Sequence, residues 1–236
     1  MAAVFLTAEW RKLAMANYVV DPSALQPYLP NKTELDLWND TCYVSLVGFM
    51  FLNTKLCGLR IPFHHTFEEV NLRFYVKYKD ITGWKRGVVF IKEIVPKPAL
   101  TFVANTMYGE HYQTLPMSHM IEAKDDRLTV AYRWELQRWH SLEVTAAKNT
   151  VAIREGSEEE FITEHYWGYT QLAPHRTSEY AVEHPRWMVF PVSSYRIDVD
   201  FGKIYGGGFS NLSTQKPGSV FLAEGSEIVV RRGTKI

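Results

Sequence analysis

Residues 67–78, FEEVNLRFYVKY, alternate strictly. Val70, Leu72, Phe74, Val76 and Tyr78 interleave with Glu69, Asn71, Arg73, Tyr75 and Lys77, and a β-strand sends two such sets to opposite faces. One face is apolar. The other presents a carboxyl, an amide, a guanidinium and a phenol in order. A carboxyl can act as general acid or base, and a guanidinium holds anionic or carbonyl groups through a fork of donors. On an open sheet this face meets water and carries ordinary surface charges. In a closed barrel it lines the lumen and forms the wall of a small-molecule pocket. A second group, Glu110-His111-Tyr112, follows the end of a predicted helix. Loops at such places often carry function, and histidine titrates near neutrality. A polar surface loop has the same composition, so the residues alone leave both questions open.

Other chemistries lack their motifs. There is no G-x-S-x-G, no P-loop, no G-x-G-x-x-G and no H-E-x-x-H. Gly206-Gly207-Gly208 is not followed by Lys-Ser/Thr and reads as a tight bend. His64 and His65 are adjacent, so an extended chain points them apart, and His111 and His119 have no second cluster. No metal site and no cofactor is predicted. Ser157-Glu158-Glu159-Glu160 is a capping box, which assigns that charge run to a helix start. Arg231-Arg232 reads as a solvated strand end.

The 236 residues can bury a substantial core. The 26 Lys+Arg balance 26 Asp+Glu, so no net field favours nucleic acid or an anionic membrane. Cys42 and Cys57 form no metal spacing and are expected to be reduced core thiols. The N-terminus reaches charged residues too early for a signal peptide. The longest apolar run, VSLVGFMFL (44–52), is only strand-sized. The expectation is a soluble cytoplasmic protein with a small-molecule ligand and a possible homo-oligomeric state.

The elements around the two groups are mostly strands. The β-formers Tyr18, Val19 and Val20 make 10–20 lean to strand. Asp21-Pro22 opens a short helix over 23–29. LDLW (35–38) and 41–53 read as a hairpin over Asn39-Asp40, with 44–52 apolar on both faces and therefore central. After the strand 67–78 and a turn at 80–83, 84–95 returns as its partner. Leu100, Val103, Ala104 and Met107 give helical spacing over 99–109, ended by Gly109. Strands follow at 111–124, broken by Pro116, and at 128–139 and 142–148. A helix begins within 158–169, and 178–185 and 187–192 are strands. Residues 195–208 are ambiguous, and 219–232 reads as a hairpin over Gly225-Ser226. With no βαβ rhythm and no repeat, this is a mostly β (α+β) chain. It forms one domain over 1–236, an antiparallel sheet or barrel with a few short helices.

EVNLRFYV, GVVFIKEI, the helix and YGEHY together resemble the uncharacterised bacterial YqjF-like proteins, and FITEHYWGY and EYAVEHPRW extend the likeness over most of the chain. That family is similar in fold to acetoacetate decarboxylase, whose closed, cone-like barrel encloses a pocket. The resemblance therefore implies that the polar face of 69–75 points inward. The decarboxylase acts through a Schiff-base lysine beside a second lysine, in a motif like YGYPKKF, and the neighbouring cation keeps the nucleophile unprotonated. Here the stretch is YGEHYQT. Tyr112 and Gln113 stand where the lysine pair would fall, and the chain holds no Lys-Lys dipeptide. Glu69 matches the family's carboxylate. The expected site is thus Glu69 and His111 as acid or base, with Asn71, Arg73, Tyr75, Glu110 and Tyr112 holding the ligand. A non-catalytic ligand-binding or interaction protein is the alternative.

Overall fold

The computed structural model describes residues 2–236, apart from the side chains of Met107 and Tyr108. The chain runs through β1 (Val4–Val19), β2 (Glu34–Leu35), β3 (Tyr43–Leu56), β4 (Phe67–Asp80), β5 (Gly83–Val95) and helix α1 (Pro98–Val103). It continues through β6 (Tyr112–Thr114), β7 (Met117–Lys124), β8 (Arg127–Leu136), β9 (Arg138–Ala147), β10 (Val151–Ala152) and helix α2 (Glu158–Thr163). The last part holds β11 (Trp167–Ala173), β12 (Arg176–Glu183), β13 (Met188–Phe190), β14 (Val192–Asp198), α3 (Phe201–Tyr205), β15 (Ser219–Arg231) and β16 (Thr234–Lys235).

Neighbouring strands pair in the order β15-β1-β3-β4-β5-β11-β12, and β12 pairs back onto β15, so the sheet closes on itself. The pairings are antiparallel except between β5 and β11. Closure removes free edges and gives every strand an inside and an outside. A second sheet, β14-β9-β8-β7, covers part of the outside. Val70, Leu72, Phe74 and Val76 share one core with Leu128, Val130, Tyr132, Trp134 and Leu142 of that sheet. The inner face has its own core, which includes Met15, Val47, Phe49, Tyr75, Phe161 and Trp187. β3 lies between the two cores and is buried from Tyr43 to Phe51, as its unbroken apolar run requires.

Local signals explain most boundaries. The Asp21 side chain accepts a 2.8 Å hydrogen bond from the Ser23 N–H. The segment after it forms two single 3-10 turns, Pro22–Ala24 and Gln26–Tyr28, rather than one helix. Pro27 has no N–H with which to continue the ladder. α1 runs on through a π-type turn, 104–108, to Gly109 in the left-handed conformation, φ 69°. Met107 belongs to the helical spacing, but its side chain lies outside the described residues. The Ser157 hydroxyl accepts from the Glu160 N–H, as a capping box demands.

Several expectations are corrected. β2 pairs with β4, not with 41–53; only a single Trp38–Thr41 bridge joins that hairpin. The segment 128–139 is split at Gln137, whose φ of 63° makes the turn between β8 and β9. α2 stops at Thr163, because the β-formers after it are recruited as β11 by β5 and β12. Cys42 is buried as expected, but Cys57 is exposed. Residues 219–231 are not a hairpin: β15 is one strand paired along its length with β1. Gly225 has φ 79°, and a Cβ there would lie 1.9 Å from the Trp10 carbonyl oxygen. Glycine here bends a strand around the ring instead of reversing it.

Replacing Gly225 with alanine should therefore cost about 2–4 kcal/mol in chemical denaturation, since backbone strain alone is worth roughly 1–3 kcal/mol. A loss of about 1 kcal/mol or less would instead fit a tolerant surface turn.

Candidate binding site inside the ring

On β4 the polar face is the inner face. Glu69 is 2 % exposed, Asn71 1 %, Arg73 7 % and Tyr75 1 %. The register sets Ser45 of β3 opposite Arg73, and Glu93 of β5 opposite Asn71. Tyr112 of β6 follows beside Glu93. Asn105 holds the Tyr112 backbone by two 2.8 Å hydrogen bonds, one to its carbonyl and one from its N–H.

One end of the site is acidic. The Asn71 amide donates to Glu69 Oε1 at 2.9 Å, the Tyr112 hydroxyl to Glu69 Oε2 at 3.2 Å, and the Thr170 hydroxyl to Glu110 Oε1 at 2.9 Å. Glu93 lies on the other side of the same Tyr112 hydroxyl, whose single proton cannot serve both carboxyls. Burial pushes Glu69 up to about 7 against the hydrogen bonds of Asn71 and Tyr112 and the Arg73 charge. Burial raises Glu110 to about 7. Glu93 is raised well above the usual carboxylate range, by burial and then by Glu69 and Glu110. Burial and the three carboxyls likewise raise the Tyr180 hydroxyl on β12. The Tyr180 ring lies across Gly168, where a Cβ would come within 2.1 Å of it. Tyr112 and Tyr180 are enclosed by protein on most sides yet keep some surface open to solvent. Two buried acceptors, Glu93 Oε2 and Asn71 Oδ1, have no partner.

The other end is cationic. Arg73 makes no ion pair among the described residues, and its buried Nε has no partner. Its guanidinium carbon sits 5.8 Å from the centre of the Tyr75 ring. His165 packs on the same ring at 4.7 Å, and its Nε2 lies 3.1 Å from Asp36, which also takes a 2.6 Å hydrogen bond from Arg86 Nε. Burial lowers His165 to about 4 despite Asp36, with Arg86 and Arg73 adding to the effect. A neutral His165 thus donates from Nε2 to Asp36 and leaves a buried Nδ1 lone pair without a partner. For Asp36, burial opposes ionisation, but the His165 and Arg86 hydrogen bonds hold it below its ordinary value.

The Tyr75 hydroxyl is already committed. Glu158 accepts from the Ser219 hydroxyl, so Ser219 accepts from the Asn17 amide at 3.0 Å. Asn17 Oδ1 then accepts from Ser45 at 2.6 Å, and Ser45 accepts from Tyr75 at 2.7 Å. Every donor in this chain points the same way, so Tyr75 offers the lumen its ring and an oxygen lone pair, not a proton.

Of the residues singled out in the sequence, Glu69, Asn71, Arg73, Tyr75, Glu110 and Tyr112 meet here. His111 does not: its side chain is exposed, while its carbonyl accepts from the Glu93 N–H. Strand alternation turns Glu110 and Tyr112 inward and therefore His111 outward. Glu93, His165, Asp36, Thr170 and Tyr180 were missed. Glu93 left one signal, a lone acid in the apolar run FIKEIV. An extra residue in β5, between the partners of Leu72 and Arg73, shifts the alternation and hides which face it takes. Among the described residues no group of three or more His, Cys, Asp or Glu side chains is arranged for a metal ion. Two open surface clefts lie elsewhere, along Val192–Tyr195 and beside Arg138 and Asp198. Three clustered buried acids and the buried, unpaired Arg73, not open volume, mark the lumen site.

Residues 7–227 match the model of DUF2071, a family of uncharacterised conserved proteins. The chain belongs to this family. Over 75 residues it is 37 % identical to the uncharacterised protein YqjF of Bacillus subtilis, a match covering 31 % of each protein. Solved structures share the acetoacetate-decarboxylase-like fold. The acetoacetate decarboxylase of Legionella pneumophila superposes with a TM-score of 0.66 at 13 % identity, over 99 % of this chain and 88 % of that one. The enduracididine biosynthesis enzyme MppR gives 0.66 at 10 % identity, over 100 % and 90 %. An acetoacetate decarboxylase-like enzyme from Sphingomonas wittichii gives 0.64 at 11 %, over 99 % and 94 %. No described helix is long and apolar enough to cross a membrane.

The raised Glu69 predicts a pH signature. Its neutral form is favoured by the fold, so this contribution to stability is complete below about 4.5 and is lost as pH rises through about 7. Glu69→Gln mimics the neutral acid. Wild type and variant should melt alike near pH 5, and by pH 8 the variant should be the more stable by roughly 1–3 kcal/mol. A difference that does not change with pH would place Glu69 in a solvated setting.

Proposed function

We propose that this DUF2071 chain binds a small carboxylate or carbonyl compound inside its ring, with Arg73 on the anionic group and Glu69 as acid or base. The observation that carries this is the buried, unpaired Arg73. A guanidinium cannot shed its charge, and a buried charge without a partner costs several kcal/mol. An anion entering the ring supplies that partner. Glu69, raised to about 7, exchanges protons readily at neutral pH, which suits acid–base work. MppR has been solved in complex with pyruvate, so a protein of this fold takes a small oxo acid; the inference to this chain is by analogy of fold.

The chemistry proposed is not Schiff-base chemistry. By the resemblance of YGEHYQT to the decarboxylase motif, Tyr112 and Gln113 stand where the lysine pair would fall, and Lys92 donates outside the ring to the Ile204 carbonyl. A purely binding role is the second reading, favoured by the same missing nucleophile. His111 is left out of the proposed machinery because it is exposed.

Two experiments test this. In thermal melts, acetate, pyruvate and acetoacetate should stabilise wild type, by about 2.7 kcal/mol at a hundredfold excess over Kd, and should not stabilise Arg73→Met. No carboxylate pairs with Arg73 among the described residues, so the variant without ligand should melt at or above wild type. Equal responses of both proteins to carboxylates would remove Arg73 from the site. Separately, borohydride treatment with acetoacetate should yield no covalent adduct by mass spectrometry; a stoichiometric lysine adduct would overturn the non-Schiff-base reading.

A further inference from the structure

The two ends of the lumen differ in charge. At the Arg73 end the unmet atoms are a donor, Arg73 Nε, and an acceptor, the Nδ1 of neutral His165. At the Glu69 end the unmet atoms are both acceptors, Glu93 Oε2 and Asn71 Oδ1. The Asn71 amide cannot be turned to relieve this, because its Nδ2 is spent on Glu69 Oε1. Asn71 is 1 % exposed and Glu93 3 %, so bulk water does not meet the need. The donors at this end are the Asn71 amide, the Tyr112 hydroxyl and the Thr170 hydroxyl, each with an acceptor, and the hydroxyl of Tyr180 beside the acids. None of the three carboxyls has an ion pair among the described residues. Protonation relieves their mutual repulsion and gives Glu93 a donor opposite Asn71; once the cluster ionises, both oxygens depend on a donor from outside.

We infer that the ligand is a short zwitterion, its carboxylate on Arg73 and an ammonium or amidinium at its other end among Asn71, Glu69, Glu93 and Glu110. This rests on the anion reading above and adds the second half of the ligand. An ammonium brings three donors and a positive charge, which meets both orphaned acceptors and the clustered acids together. The spacing follows from the strand. Asn71 and Arg73 are two residues apart on one face, about 6.6 Å along β4. That separation fits an ω-amino carboxylate with about three to five carbons between its charged groups, allowing for side-chain reach. The groups facing the cation are Glu69 and the more distant Arg73 from β4, Glu93 from β5, Glu110 and Tyr112 from the turn into β6, and Tyr180 from β12. Since the carboxyls hold protons up to about neutrality, binding a cation there releases protons.

Isothermal titration of the full chain with butyrate, butylammonium, 4-aminobutyrate and 5-aminopentanoate tests this. At pH 8 the better amino acid should bind at least tenfold more tightly than butyrate, and the ratio should shrink toward pH 5. In Glu93→Gln the ratio should fall toward one. Wild-type titrations alone decide the matter if that variant fails to fold. Butyrate binding as well as or better than both amino acids at pH 8 overturns the zwitterion while leaving the anion reading intact. Butylammonium binding without any response to butyrate supports the cation site and overturns the anion reading. No binding by any of the four overturns both.

Discussion

Two residue pairs, Val182 with Val230 and Glu183 with Val229, join β12 to β15 and turn a sheet into a ring. Much of the functional reading follows from that closure. Without it, β4 would show Glu69, Asn71 and Arg73 to water, where such charges are worth little. With it, the same side chains lie in a space that water reaches poorly, and each must find a partner or change its protonation state. The outer sheet contributes by covering the opposite face of β4 with Val130, Tyr132 and Trp134. The strand is thereby fixed from behind, and the direction of every inner side chain is fixed with it.

Within the ring the molecule separates its charges. Asp36 accepts from His165 and Arg86 and remains ionised there because hydrogen bonds outweigh burial. Glu69, Glu93 and Glu110 are the reverse case: burial dominates, few donors are available, and the acids hold protons. Arg73 lies between the two groups and pairs with neither. The Tyr75 hydroxyl is kept out of this exchange by the one-way hydrogen-bond chain to Glu158.

The likeness to acetoacetate decarboxylase and MppR is one of fold, at 13 % and 10 % identity, and chemistry does not travel with a fold. Here the difference is concrete. Tyr112 stands among three buried acids, and none of these acids has a lysine or arginine ion pair among the described residues. A ligand that brings its own cation would fill that role without covalent attachment.

Much of the architecture was legible in the sequence because it depends on short-range physics. Period-two alternation gave β4, an unbroken apolar run gave β3 as a central strand, the capping box gave α2, and Gly109 gave the end of the helix before the site. The residue types on β4 also named four of the clustered side chains, Glu69, Asn71, Arg73 and Tyr75, and the group after the helix named Glu110 and Tyr112. What the sequence could not supply was decided by contacts between distant segments. Gly225 looks like a turn until β1 pairs along the whole of β15. Residues 167–173 look like the rest of a helix until β5 and β12 recruit them. Glu93 changes apparent face because of one extra residue in β5, and His165 reaches Tyr75 from 90 positions away. Above all, one and the same polar strand face is a wet surface or a lined lumen according to whether the ring closes, and closure is a long-range pairing that no local pattern encodes.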